Sequence, residues 1–129
     1  MLSPTRDPET MLPLTPAVFH ILLALADSER HGYSIMQEIA AHTKGKLCIG
    51  PTTLYRSIKH MLADGLIVEI DERPDPALDD ERRRYYRLTE FGRRVALAEV
   101  ERLAQLLAVA QTKPLLGGLR PIPASEGAH

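Results

Sequence analysis

The chain has no tryptophan and only one cysteine, Cys48, in 129 residues. A single thiol cannot close an intrachain disulfide, and it speaks against a structural zinc site built on cysteines. No apolar run approaches the ~20 residues of a membrane-spanning helix, so no membrane span is expected. Met1 to Pro13 lacks the basic start and apolar stretch of a secretory leader, which makes the cytoplasm the expected compartment. Net charge is nearly absent as well, at -1. The total therefore gives no support to a polyanionic partner, and only the distribution of charge can.

That distribution is uneven. No Asp or Glu occurs between Lys44 and His60, a stretch that holds Lys44, Lys46, Arg56 and Lys59, while acids gather elsewhere, as in Asp79-Asp80-Glu81. Within it, Gly50-Pro51-Thr52-Thr53-Leu54-Tyr55 opens a short helix running to Leu62. At ~100° per residue, Leu54, Ile58, Met61 and Leu62 fall on one side, and Thr52, Thr53, Arg56, Lys59 and His60 on the other. One face suits a core. The other carries hydroxyls and cations, which bond phosphate oxygens and base edges.

Residues 1–13 read as a flexible N-terminal arm. Thr15-Pro16 starts a first helix, with a hydroxyl at N-cap and proline at N1. Its apolar stripe is Val18, Ile21, Leu22 and Leu25. His31-Gly32-Tyr33-Ser34 leads into a second helix that turns Ile35, Ile39 and Met36 inward and ends at Gly45. Leu47-Cys48-Ile49 is a candidate short strand, and Cys48 reads as a plain buried cysteine, the alternative being a thiol whose oxidation perturbs the helix that follows. The two-faced helix stops near Asp64-Gly65. A strand from Leu66 to Glu72 should place Leu66, Val68 and Ile70 on one face. Prolines 74 and 76 force a loop. The return strand, from about Arg83 to Leu88, should bury Tyr86 and Leu88 and turn Tyr85 outward with its flanking arginines. Thr89 caps a final helix, whose residues Ala96, Val100, Leu103, Leu107 and Ala110 form a coiled-coil seam widened by Leu106. Gly, Pro and Ser mark 114–129 as a loose tail.

A two-faced helix followed by a basic hairpin predicts a mainly α fold with a small β-hairpin: a winged helix-turn-helix over 14–88 that reads double-stranded DNA, then a C-terminal dimerisation helix over 89–113. The order of features resembles the PadR family of bacterial transcriptional regulators. The resemblance rests on Leu22 to Leu25 followed by His31-Gly32-Tyr33-Ser34-Ile35, on Thr53-Leu54-Tyr55, on Leu62 to Ile67, and on Tyr85-Tyr86-Arg87-Leu88-Thr89 with Gly92. It implies a homodimer that represses genes, with repression relieved in many members by a small molecule. The single C-terminal helix is similar to the shorter branch of the family. The missing tryptophan departs from relatives that hold flat drugs between tryptophans. The acidic hairpin tip, Asp75 to Glu81, should avoid phosphates and leave contacts to the basic arms.

The expected DNA contacts are Thr52, Thr53 and Arg56, which should carry sequence preference, and Lys59 on phosphate. Tyr33 and Ser34 open the second helix and can grip a phosphate there, or Tyr33 can simply pack between helices. Tyr55 sits at the border of the two faces. Arg83, Tyr85 and Arg87 read equally as phosphate or minor-groove contacts and as a solvated strand edge. The seam, Ala96 to Ala110 with Leu106, is the expected dimer interface, which would make the operator an inverted repeat. Phe19 and Leu106 are candidate lining for an inducer pocket. His20, His31, His42 and His60 lack ligand spacing, and no metal or cofactor is expected. No nucleophile–base pair or phosphate-cradling loop indicates an enzyme. The competing reading is a winged helix that binds another protein instead of DNA.

Overall fold

The computed structural model describes residues 6–70 and 84–116. Two compact units divide the chain, residues 1–99 and 100–129. The first holds helices α1 (Pro16–Ala24), α2 (Gly32–His42) and α3 (Pro51–Ala63), strands β1 (Arg30–His31), β2 (Ile67–Ile70) and β3 (Tyr85–Leu88), and the start of α4 (Glu90–Gln111). The second holds the rest of α4 and a 3-10 turn at Pro114–Leu116.

Local chemistry sets these boundaries. The Thr15 hydroxyl accepts the Val18 N–H at 3.2 Å, and Pro16 occupies the first helical position. Helix α3 also begins on a proline, behind Gly50, without a side-chain cap. It ends in a Schellman turn: Gly65 takes φ 76°, and Leu66 N–H returns to the Met61 carbonyl at 2.9 Å. A residue with a β-carbon is strained at that φ, so the glycine is what lets the chain reverse there. Thr89 then ties this turn to α4. Its hydroxyl donates to the Gly65 carbonyl at 2.6 Å and accepts the Gly92 N–H at 2.9 Å. A side chain on Gly92 would run into the Leu66 backbone.

Three helices and a three-stranded antiparallel sheet enclose one core in the first unit. Ile21, Leu22 and Leu25 meet Ile35 and Ile39, Leu54, Ile58 and Met61, then Leu66, Ile67, Tyr86, Leu88 and Val95. The sheet order is β1-β3-β2, so the return strand is central. This is a winged helix-turn-helix, mainly α with a small β-hairpin. Tyr86 and Leu88 cover the core as expected.

Several local expectations change. Leu47-Cys48-Ile49 is not a strand; the free edge of β3 is taken by Arg30–His31, which pairs with Tyr86 and Tyr85. The 47–49 loop is instead held by Thr43, whose hydroxyl accepts the Leu47 N–H at 3.1 Å. Ile49 takes the buried position, and Cys48 is exposed, not buried. In β2 the phase shifts by one: Leu66 belongs to the preceding turn, and Ile67, opposite Leu88, faces the core. Val68 and Ile70 lie across from Arg87 and Tyr85 on the other face. Within the expected arm, residues 8–11 form a 3-10 turn, and Met11, Leu12 and Leu14 pack against the core. Arg6 adds a stacking contact, 4.0 Å from the Phe91 ring centroid.

Candidate nucleic-acid interface

Helix α3 sorts its residues as its periodicity requires. Leu54, Ile58 and Met61 are buried, whereas Thr52, Thr53, Tyr55, Arg56 and Lys59 are exposed. Among the described residues, no ion pair engages Arg56 or Lys59. Their charges face solvent, where phosphate or a base edge can meet them.

The start of α2 lies beside this helix. His31 caps it: its Nδ1 accepts the Ser34 N–H at 3.1 Å. One of the N–H groups expected to hold phosphate is therefore occupied, and the Ser34 hydroxyl accepts from Arg30 Nη1 at 3.2 Å. Tyr33 stays 56% exposed and stacks near His31, with ring centroids 6.5 Å apart. From the sheet, the half-buried Tyr85 meets His31 edge-on at 5.3 Å. Tyr55 does two jobs: its ring lies against Gly32, and it remains 46% exposed. Thr52, Thr53, Tyr55, Arg56 and Lys59 on α3, Tyr33 and Ser34 on α2, and Tyr85 on β3 thus belong to one folded unit.

On the sheet, two arginines of the run sit beside carboxylates. Arg87 is exposed but 3.7 Å from Glu29, and Arg84 pairs with Glu69 at 2.6 Å. Arg83 and the acidic tip, Asp75 to Glu81, lie outside the described residues. Behind the sheet, burial pushes the Tyr86 hydroxyl above its ordinary range, and the neighbouring Glu69 charge adds to the rise. Tyr86 therefore stays neutral and supports the core.

Two polar anchors escaped sequence reasoning. Glu99 is 2% exposed and accepts the Leu14 N–H at 3.0 Å, joining the segment before α1 to α4. Its spacing from buried Val95, one helical turn, was the available signal. Arg30 donates from Nε to the Ala24 carbonyl at 2.7 Å, closing the end of α1, and lies 3.5 Å from Glu38.

Of the seam, Val100, Leu103, Leu106 and Leu107 are exposed, Ala110 is half-buried, and Ala96 packs against the core of the first unit. Phe19 is half-buried on α1. A separate cleft of about 170 Å³ is lined by Met11, Leu14, Val18, His60, Met61 and Asp64, without Phe19. Among the described residues, no helix is long and apolar enough to cross a membrane.

A winged helix-turn-helix with a solvent-facing cationic helix defines a class of DNA-binding regulators, and comparison with known proteins narrows it. Residues 21–98 match the family described as transcriptional regulator PadR-like. The chain belongs to that family; it is a transcriptional regulator and not an enzyme. It is 38% identical over 99 residues to the transcriptional regulator Rv3488 of Mycobacterium tuberculosis H37Rv, a match covering 77% of this chain and 81% of that protein. Among solved structures it is similar to Bordetella bronchiseptica BpsR, whose DNA binding is regulated by 6-hydroxynicotinic acid, with a TM-score of 0.59 and 26% identity over 88% of this chain and 75% of that one. It also shares its fold with Bacillus subtilis PadR in complex with operator DNA, with a TM-score of 0.57 and 19% identity over 68% of this chain and 48% of that one.

Proposed function

We propose that the protein is a cytoplasmic, homodimeric repressor that binds an inverted-repeat operator through α3 and releases it when a small-molecule inducer binds. One observation carries the DNA-binding part: Arg56, Lys59, Thr52 and Thr53 face solvent on the helix that buries Leu54, Ile58 and Met61. The aliphatic side fixes the helix, so the cationic side is presented in a set orientation. Thr52, Thr53 and Arg56, near the helix N-terminus, read bases; Lys59 holds phosphate. Tyr55 borders that face, Tyr33 and Tyr85 flank His31 at the start of α2, and all three contact the DNA backbone in this reading. Arg87, shared with Glu29, contributes less; Arg83, outside the described residues, is kept as a proposed contact from its sequence alone.

Dimerisation rests on the exposed apolar residues of α4, Val100, Leu103, Leu106 and Leu107, continued by Ala96 and Ala110. The inducer proposal draws support from BpsR, whose DNA binding is regulated by 6-hydroxynicotinic acid; Phe19 remains a proposed lining residue. A gel-shift with the DNA upstream of the protein's own gene tests the reading. A retarded band that weakens with rising salt supports it. Absence of any shift, together with a protein partner captured through the same face, favours a protein-binding winged helix instead.

A further inference from the structure

Two histidines that lie far apart in the sequence meet on the surface. His20 is in the middle of α1 and His42 is the last residue of α2. His20 Nδ1 and His42 Nε2 are 3.2 Å apart, with ring centroids separated by 5.4 Å and planes inclined by 24°. At that distance one ring can donate N–H to the ring nitrogen of the other, so that the pair shares a proton. Two imidazole nitrogens bound at 2.0–2.1 Å to one tetrahedral cation stand about 3.3 Å apart. Exchanging the shared proton for a metal ion therefore keeps the two nitrogens at nearly their present separation and asks the rings to turn toward a cation lying off the N···N line.

We propose that His20 and His42 form a two-histidine site for a divalent transition-metal ion of the zinc, nickel or copper type, with water completing the coordination. Imidazole ligands select these ions over magnesium and calcium. His42 is exposed and His20 half-buried, so the ion enters directly from solvent. Among the described residues, no group of three His, Cys, Asp or Glu side chains gathers around a common point. The pair therefore binds with the modest strength of two imidazoles. A bound ion would staple α1 to the end of α2. The inference rests on this pair alone and is independent of the DNA-binding proposal.

Isothermal titration of the full chain with zinc chloride and nickel chloride, in buffer free of chelators, tests the site. The expected result is one ion per chain, no uptake of magnesium, and weaker binding as pH falls from 7 to 5.5. At metal about a hundredfold above Kd, the melting temperature should rise by about 5–10 °C and return with EDTA. H20Q and H42Q should each weaken binding at least tenfold, while C48S, H60Q and H129Q retain it. His42 is exposed at a helix end, so H42Q carries the test if H20Q folds poorly, with its fold checked by circular dichroism. No uptake by the wild type, uptake unchanged in H42Q, or loss of uptake in C48S or H129Q alone would overturn the assignment.

Discussion

The ring of Tyr55 lies against the α-carbon of Gly32: a methyl group added to Gly32 would meet Tyr55 Cζ at 2.8 Å, with the phenol oxygen closer still. Two stretches that are separate in the sequence, His31-Gly32-Tyr33-Ser34 and Thr53-Leu54-Tyr55, thus interlock. The contact sets how closely the start of α2 approaches the outer border of α3. Gly32→Ala should push the ring toward solvent and destabilise the protein by about 1–2 kcal/mol, the range for a moderately overpacked contact. In a Tyr55→Ala background the same substitution should be nearly neutral. Urea unfolding of the four proteins in the cycle measures the coupling, and simple additivity would show that the two residues do not touch.

Glu99 holds the segment ahead of α1 through the Leu14 N–H. Glu99→Ala leaves that part-buried donor without its acceptor and should lower stability by about 1–2 kcal/mol. Glu99→Gln keeps a carbonyl oxygen and should lose less. Hydrogen exchange at the Leu14 amide gives a site-specific check, because it should quicken most in the alanine variant.

His20 has its folded-state proton affinity reduced, first by burial and then by His42. The unfolded chain therefore binds more protons than the folded one below the ordinary value of 6.5. Stability should be complete above that pH and fall as pH drops through the interval between 6.5 and the lower folded value, levelling off beneath it. Urea midpoints from pH 5 to 8 should show this slope, and His20→Gln should flatten it. An unchanged slope would assign the pH dependence to another group.

Leu103 and Leu107 are 39% and 37% exposed in the single chain. If they seal a dimer, Leu103→Glu and Leu107→Glu should shift the protein to a monomer in light scattering and weaken operator binding by more than tenfold. The winged domain itself should keep its melting behaviour. A wild-type protein that is already monomeric at micromolar concentration would remove the basis for an inverted repeat.

Much of the fold was readable because its signals are local. Thr15-Pro16, Asp64-Gly65 and Thr89 mark helix ends by chemistry within a few residues, and Leu54, Ile58 and Met61 mark a face by simple periodicity. Failures arose where the answer depended on a distant neighbour. Leu47-Cys48-Ile49 has strand-forming residues, but Arg30–His31 takes the edge of β3 opposite β2. Ile67 replaces Val68 as the inward residue because the turn after α3 absorbs Leu66. Met11 and Leu12 sit in a proline-bearing segment that reads as loose, yet they find apolar partners in the folded unit. In the candidate interface, the exposure of Thr52, Thr53, Arg56 and Lys59 followed from the pattern. The His31 cap that occupies the Ser34 N–H, and the carboxylates that engage Arg84 and Arg87, required the three-dimensional arrangement.

DNase footprinting of the promoter next to the protein's gene, with the wild type, Arg56→Ala and Lys59→Ala, tests whether the outer face of α3 reads an operator. Protection of two symmetric half-sites about 34 Å apart, centre to centre, is expected. Arg56→Ala should weaken the cognate site by about 1–3 kcal/mol with little effect on random DNA, whereas Lys59→Ala should weaken all sequences alike and reduce the salt slope by about 1. Protection that persists unchanged in both variants would contradict the assignment of α3, and no protection at any promoter sequence would contradict DNA reading itself.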